Sequence, residues 1–355
     1  MWIFESIYYL GYSLKKQYSL KNQKQLPAKV ISIGNITAGG TGKTPAVIAL
    51  ANEALSRGFI PCILTRGYKG RAKGPCFVSM GEGPLMDAMD AGDEPFLMAN
   101  KLKGVPIVKC ADRYKGGMFA LQNLKDMETR RHGDTEIDSL TDSPIRRFTD
   151  SPIIFILDDG YQHWKLFRDK DILLIDAENP FANGKLIPLG LLREPLKEIK
   201  RANIIVITKA DESQNIKLNI LSDEIKQYNS KAMIFFSGHK PLRFIGNMGE
   251  TMPLKWARNK NFFGFCGIGS PSSFKKTLVS TGCDLKGFRA YKDHYRYKQQ
   301  DIENIVKKAR KNNSEWIVTT EKDLTRLRGL DVPDNFVAVS IEFSIEKGFY
   351  DEALK

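Results

Sequence analysis

The sequence predicts an α/β fold, a mostly parallel sheet flanked by helices with a second, smaller α/β lobe, and three observations carry that reading. Val30, Ile31, Ile33 and Ile36 form an apolar strand that runs through a glycine-rich turn into Ala46, Val47, Ile48, Leu50 and Ala51, the opening of a helix. Ile153-Ile154-Phe155-Ile156-Leu157 is a continuous apolar run of the kind that parallel sheets bury on both faces. Apolar strands alternate with helical stretches through residue 230, as crossover connections require.

The turn after the first strand holds the strongest chemical signal. Thr37-Ala38-Gly39-Gly40-Thr41-Gly42-Lys43-Thr44 follows G-x-x-x-x-G-K-[ST] at every fixed position but the first, where Thr37 replaces glycine. Glycines 39, 40 and 42 let backbone N–H groups converge on phosphate oxygens at a helix N-terminus, where the helix dipole also favours negative charge. Lys43 then reaches the β- and γ-phosphates of a nucleoside triphosphate, and the Thr44 hydroxyl sits on Mg²⁺. A turn that merely joins strand to helix is the plain alternative. The register of strand, glycines, Lys-Thr and helix argues for a P-loop NTPase-like unit instead.

At 355 residues, 42% hydrophobic and 27% charged, the chain has the make-up of an ordinary globular protein with room for two lobes. Its five cysteines are scattered, odd in number and without a C-x-x-C pair, which fits a reducing compartment. The net charge of +13 attracts polyanions: nucleic acid, an anionic membrane or a phosphorylated substrate. No helix-turn-helix, zinc-finger or aromatic RNA-binding signature supports the first, so no nucleic-acid partner is expected. A solvated basic surface with no dedicated partner is the alternative.

Met1 to Tyr18, within an expected segment 1–25, reads as an amphipathic helix. Ile3, Ile7, Leu10 and Leu14 form one stripe with Phe4 and Tyr8 beside it, and Glu5, Ser6, Ser13 and Lys16 lie opposite. It is too short and polar to span a bilayer and has neither basic leader nor cleavage site. Trp2, the tyrosines and Lys15, Lys16, Lys21 and Lys24 suit a membrane interface. Packing on its own domain is the other reading.

The P-loop lobe is expected over 26–240. Ile60 to Leu64 is its second strand, followed by the basic turn Thr65-Arg66-Gly67-Tyr68-Lys69-Gly70. Ala91-Gly92-Asp93-Glu94-Pro95 precedes a helix carrying Phe96, Leu97, Ala99 and Leu102, where Asp93 as a simple helix cap is the plain reading. Pro106 to Cys110 is a third strand ending in Ala111-Asp112-Arg113. Residues 126–152 repeat Thr-Asp-Ser-Pro-Ile from Thr141 and again from Thr149 in a polar stretch, and read as a mobile surface insertion. The apolar run at 153–157 then ends in Asp158-Asp159-Gly160-Tyr161-Gln162-His163, acidic residues placed where a P-loop enzyme holds its metal. Ile172–Ile175 and Ile204–Ile207 are further strands, with the ion-pair-capable turn Leu191-Leu192-Arg193-Glu194-Pro195 between them. Thr208-Lys209-Ala210-Asp211 is like the guanine-reading N-K-x-D but lacks its asparagine.

The second lobe is expected over 241–355. Phe262 to Cys266 is a strand, Gly267-Ile268-Gly269-Ser270-Pro271 a turn and Ser272 to Ser280 a helix. Asp293-His294 precedes a helix from Gln299 to Asn312, and the strand Trp316 to Val318 ends in Thr319-Thr320-Glu321-Lys322-Asp323. With four histidines in the chain, Asp293-His294 is a candidate acid/base pair, against the plain reading of a surface histidine.

Taken together, Gly34-Asn35-Ile36-Thr37, the phosphate loop through Pro45, Arg66-Gly67-Tyr68, Gly92-Asp93-Glu94-Pro95, Asp112-Arg113, Asp158 to His163, Leu192 to Pro195, Asp293-His294 and Thr320 to Asp323 resemble, in order and over nearly the whole chain, the tetraacyldisaccharide 4′-kinase family. Thr37 fits that family's own version of the loop. The resemblance implies ATP-dependent phosphorylation of the 4′-hydroxyl of tetraacyldisaccharide 1-phosphate to lipid IV-A in lipid A biosynthesis, at the cytoplasmic face of the bacterial inner membrane. It implies Thr44 and Asp158 or Asp159 as Mg²⁺ ligands, with Glu194 a further contributor, and Asp93 as the base, assisted by His294 with Asp293 nearby. Arg66, Arg113, Gln162, His163 and Arg193 are implied as substrate or phosphate contacts. Asp93 and His294 can serve one hydroxyl only if the lobes face each other, so closure on ATP is expected. No obligate protein partner is inferred. The rivals are a P-loop switch GTPase or ATPase of the partitioning type, and a nucleic-acid-dependent ATPase. Neither explains Gly-Asp-Glu-Pro and Asp-His together.

Overall fold

A computed structural model describes residues 2–68, 70–133, 152–210 and 215–355. Within it the chain divides into a first unit, 1–238 with 345–355, and a second, 239–344. The last eleven residues, expected with the second lobe, thus belong to the first unit. The reason is a set of basic side chains that hold the C-terminal helix Phe349–Leu354. Lys29 donates to the Leu354 carbonyl at 2.9 Å, Arg57 pairs with Asp351 at 2.6 Å and Lys170 with Glu352 at 3.1 Å.

In the first unit α1 (Trp2–Lys21) is followed by β1 (Lys29–Gly34), α2 (Lys43–Ser56), β2 (Ile60–Thr65), β3 (Cys76–Met80), α3 (Ala88–Ala91) and α4 (Asp93–Lys101). Then come β4 (Pro106–Lys109), α5 (Arg113–Gly133), β5 (Ile153–Asp158), β6 (Lys170–Asp176), β7 (Ile204–Thr208), α6 (Asn215–Tyr228) and the start of β8 (Met233–Gly246). The sheet order is β8–β7–β6–β1–β5–β2–β4–β3, parallel except for β3 on β4. Strands β1, β5 and β2 are buried along nearly their whole length, as the apolar runs require. Their register sets Ile33 beside Asp158 and Leu64 beside Leu157, so the phosphate loop, the Asp-Asp turn and the turn after Thr65 all leave one end of the sheet. Ligands of open parallel sheets bind at that end. Of the expected insertion, 126–133 continues α5, and both Thr-Asp-Ser-Pro repeats lie outside the described residues up to Ser151. Lys69 and Asp211 also lie outside them.

Helix α1 packs on its own unit with one face and leaves the other exposed. Its aromatic-polar side docks on the unit: the Tyr8 hydroxyl donates to the Arg193 carbonyl at 2.9 Å, Tyr12 to Glu194 at 3.2 Å and Lys16 to Glu198 at 2.5 Å. Its apolar stripe faces away, with Ile7 and Leu10 each 61% exposed and Leu14 59%. No helix among the described residues is long and apolar enough to cross a membrane.

The second unit contains the remainder of β8, β9 (Thr251–Pro253), β10 (Asn261–Cys266), α7 (Pro271–Ser280), β11 (Asp284–Ala290), α8 (Gln299–Lys311), β12 (Trp316–Thr320), α9 (Glu321–Arg326) and β13 (Phe336–Ile345). Strands β11–β10–β12–β13 are parallel, and β9 pairs antiparallel with β8. Alternation along β10 sends Phe262 and Cys266 to the side of α7, with Phe274 and Leu278, and Phe263 and Phe265 to the side of α8, with Ile302 and Ile305.

Candidate active site

The end of β1 fixes the phosphate loop. A Cβ on Gly34 would lie 2.6 Å from the Tyr161 Cβ, so glycine alone lets the Asp-Asp-Gly-Tyr turn pack against it. Buried Asn35 donates through Nδ2 to the Thr37 carbonyl at 2.6 Å, and its Oδ1 accepts from Lys43 Nζ at 3.1 Å. The segment after Leu191 braces the loop from outside, with Ala38 N–H on the Leu191 carbonyl and Arg193 N–H on the Ile36 carbonyl, both at 2.7 Å. Gly42, at φ 81°, is the N-cap of α2 and brings no side chain to the first-turn N–H groups. Thr41 adds a buried hydroxyl with no protein partner. An uncapped helix start beside an orphaned donor fits a polyphosphate.

The two aspartates behind the loop have different environments. Asp158 is buried at the end of β5, where its Oδ2 accepts from the Thr65 hydroxyl at 3.0 Å. Burial, with the charges of Glu94 and Asp159, pushes its carboxyl up to about 7. Asp159 turns outward at φ 50°; Arg193 Nη1 bonds both its oxygens at 2.9 Å and Lys43 Nζ lies 3.6 Å away. Burial alone would raise the Asp159 carboxyl, but Lys43 and Arg193 outweigh it and hold the group below its ordinary range. Among the described residues no group of three or more His, Cys, Asp or Glu side chains forms a metal cage. Thr44 and one carboxylate, completed by phosphate oxygens and water, are nevertheless a donor set that suits Mg²⁺.

Glu194, expected near the metal, is tied to three protein donors. It is fully buried, its Oε1 accepts from Gln162 at 2.6 Å and Arg201 at 2.8 Å, and its Oε2 accepts from Tyr12 at 3.2 Å. A carboxylate with both oxygens so engaged is an anchor. Gln162 passes the anchoring on, donating also to the Asn35 carbonyl at 2.8 Å. Arg201, which the sequence reading did not single out, packs 3.9 Å from the Tyr161 ring centroid. Its partners lie both near in the chain, at Glu194 and Glu198, and far, at Tyr161.

Arg113 is buried and spends its guanidinium on carbonyls, those of Cys110 at 3.1 Å, Ala111 at 3.2 Å and Asp158 at 3.4 Å, so it shapes the strand ends. Arg66 is exposed. Its turn packs against the one before Asp93, since a Cβ on Gly92 would lie 2.8 Å from the Tyr68 carbonyl, and Lys109 donates to the Asp90 carbonyl between them. Asp93 is the first residue of α4 and Gly92 its N-cap, which replaces the plain reading of Asp93 as the cap. Asp293 and His294 lie in the second unit, where His294 N–H bonds Asp293 Oδ1 at 2.9 Å and the two side chains approach to 4.0 Å. Lys209 of the N-K-x-D-like segment pairs with Asp176.

His163 lies half-buried beside this site. Burial, reinforced by Arg113, pushes its imidazole down to about 3. The folded protein therefore keeps it neutral while the unfolded chain takes up a proton below about pH 6.5. Its contribution to stability is complete above that value and is lost as pH falls towards 3, by up to about 1.4 kcal/mol per pH unit. His163→Gln is expected to lose roughly 1–2 kcal/mol less stability than wild type between pH 6.5 and 5 in chemical denaturation. Parallel losses in the two proteins would refute this.

The model of the family described as tetraacyldisaccharide-1-P 4′-kinase matches residues 1–355. Among curated proteins, the tetraacyldisaccharide 4′-kinase of Syntrophus aciditrophicus is 34% identical over 362 residues, covering 98% of this chain and 90% of that protein. That of Halothermothrix orenii is 35% identical over 372 residues, covering 99% and 90%. A crystal structure of LpxK from Aquifex aeolicus in complex with ATP is similar with a TM-score of 0.73 at 31% identity, covering 99% of this chain and 96% of that one.

Proposed function

The chain belongs to the tetraacyldisaccharide 4′-kinase family, and from that membership together with its phosphate loop we infer the reaction: transfer of the γ-phosphoryl group of ATP to the 4′-hydroxyl of tetraacyldisaccharide 1-phosphate, giving lipid IV-A. The observation that carries the chemistry is the uncapped start of α2, with Lys43 aimed by Asn35 and Asp159 beside it. Phosphoryl transfer asks for positioning and charge neutralisation more than for covalent steps. The loop amides and Lys43 bind the phosphates. Bound with the nucleotide, Mg²⁺ supplies neutralisation of charge on the β- and γ-oxygens. Thr44 and Asp158 would hold it, since Asp159 is engaged by Arg193 and Lys43. Asp93 takes the proton of the sugar hydroxyl, and Arg66, exposed on the adjoining turn, contacts a phosphate of the substrate. His294 and Asp293 assist the base.

The test is transfer of labelled γ-phosphate to purified tetraacyldisaccharide 1-phosphate in detergent. A phosphorylated lipid that depends on the protein carries the reading. Nucleotide hydrolysis by folded protein with no lipid product would favour a switch ATPase.

The same reading places the protein at the cytoplasmic face of the inner membrane, supported by the outward stripe of α1. Leu10→Glu with Leu14→Glu changes only exposed positions. These substitutions are expected to weaken sedimentation with vesicles containing anionic lipid by about 10-fold or more, while activity on substrate dispersed in detergent is kept. Unchanged sedimentation would remove α1 as the membrane contact.

A further inference from the structure

Thr320-Glu321-Lys322-Asp323 belongs to the ordered motif set, yet the proposed reaction gives it no part. In the second unit it forms the turn from β12 into α9. The Thr320 hydroxyl caps α9, accepting from the Asp323 N–H at 3.0 Å and donating to Asp323 Oδ2 at 2.7 Å. Asp323 is fully buried. Its Oδ2 also accepts from the Gly267 N–H at 3.0 Å, and its Oδ1 accepts from the Tyr297 hydroxyl at 3.1 Å and from Arg326 Nη1 at 2.9 Å. The same Nη1 reaches the Gly267 carbonyl at 2.8 Å, which leaves the guanidinium a single orientation. In that orientation Arg326 Nη2 lies 3.1 Å from His294 Nδ1. The histidine backbone is fixed by the same loop, since its N–H bonds the Gly267 carbonyl at 3.1 Å.

A guanidinium has five N–H donors, no acceptor, and does not deprotonate in proteins. Its contact with Nδ1 is a hydrogen bond only when that nitrogen carries a bare lone pair, so the ring proton sits on Nε2. We propose that Arg326, oriented by Asp323, is a positioning residue that fixes His294 as the Nε2–H tautomer. His294 then enters the reaction as an N–H donor to an acceptor oxygen and does not itself take the sugar proton. The donor role rests on the proposed part of His294 in phosphoryl transfer; the tautomer does not.

Two measurements separate these. With four histidines in the chain, the side-chain ¹⁵N spectrum can be assigned by comparison with His294→Gln. The wild-type protein is expected to show an unprotonated Nδ1 and a protonated Nε2 at His294. A protonated Nδ1 overturns the proposal whatever the activity. In the transfer assay Arg326→Met is expected to lower kcat roughly 10- to 100-fold, with KM for ATP unchanged, and to add nothing in a His294→Ala background. Arg326→Lys, which keeps a cation for Asp323, guards against misfolding and is expected to fall between the two. Equal losses with and without His294 would make Arg326 a merely structural residue. Full activity of His294→Ala would remove the donor role while the spectrum still decides the tautomer.

Discussion

Lys43→Met should lower kcat/KM for lipid phosphorylation by about 10²–10³-fold, the scale set by removing one preorganised group that stabilises transition-state charge. The side chain is already aimed. Its Nζ is held by Asn35 Oδ1 at 3.1 Å and lies 3.6 Å from Asp159, at the mouth of an uncapped helix, so little reorganisation stands between this position and a phosphate oxygen. Methionine keeps the length and apolar contacts of the stem and removes only the charge. The fold is expected to tolerate it. Asp159 keeps both bonds to Arg193, and the loss of one partly exposed ion pair and of one hydrogen bond to Asn35 amounts to roughly 1–2 kcal/mol. The check is a thermal melt and nucleotide binding run beside the transfer assay. Activity within a few-fold of wild type in the folded variant would displace Lys43 from the phosphate-binding role.

What the sequence made legible is what physics makes local. The strand, glycines and Lys-Thr of the loop fall within fifteen residues, and an apolar run ending in two aspartates has few other uses. Strand β8 was hidden because Gly238 and Pro241 interrupt its run, and both residues argue against a strand. Strand β11 is half exposed and carries no clean alternation. The hydrogen-bond partners of Glu194 were hidden for a different reason. They are Tyr12, 182 residues away, and Gln162 and Arg201, and these pairings are not written in a five-residue turn. Asn35 and Asp323 stood within quoted motifs, but their work is to orient Lys43 and Arg326, which only side-chain geometry reveals.

Asp93→Asn tests the assignment that geometry constrains least, and its expected signature is a fall in kcat of about 10²–10⁴-fold, the range for a lost general base. Asparagine preserves size and hydrogen-bonding reach but cannot accept the proton. The substitution should leave α4 in place, because Gly92 occupies the cap position and the first-turn charge of Asp93 contributes about 0.3–1 kcal/mol through the helix dipole. ATP affinity should be nearly unchanged, since the phosphate loop and Lys43, which carry the nucleotide's phosphates, are left as they are. That pairing of a large kcat loss with intact nucleotide binding is what separates a base from a binding residue. Loss of ATP affinity in a folded protein would move Asp93 into the nucleotide site, and a kcat within a few-fold of wild type would return the proton to another acceptor.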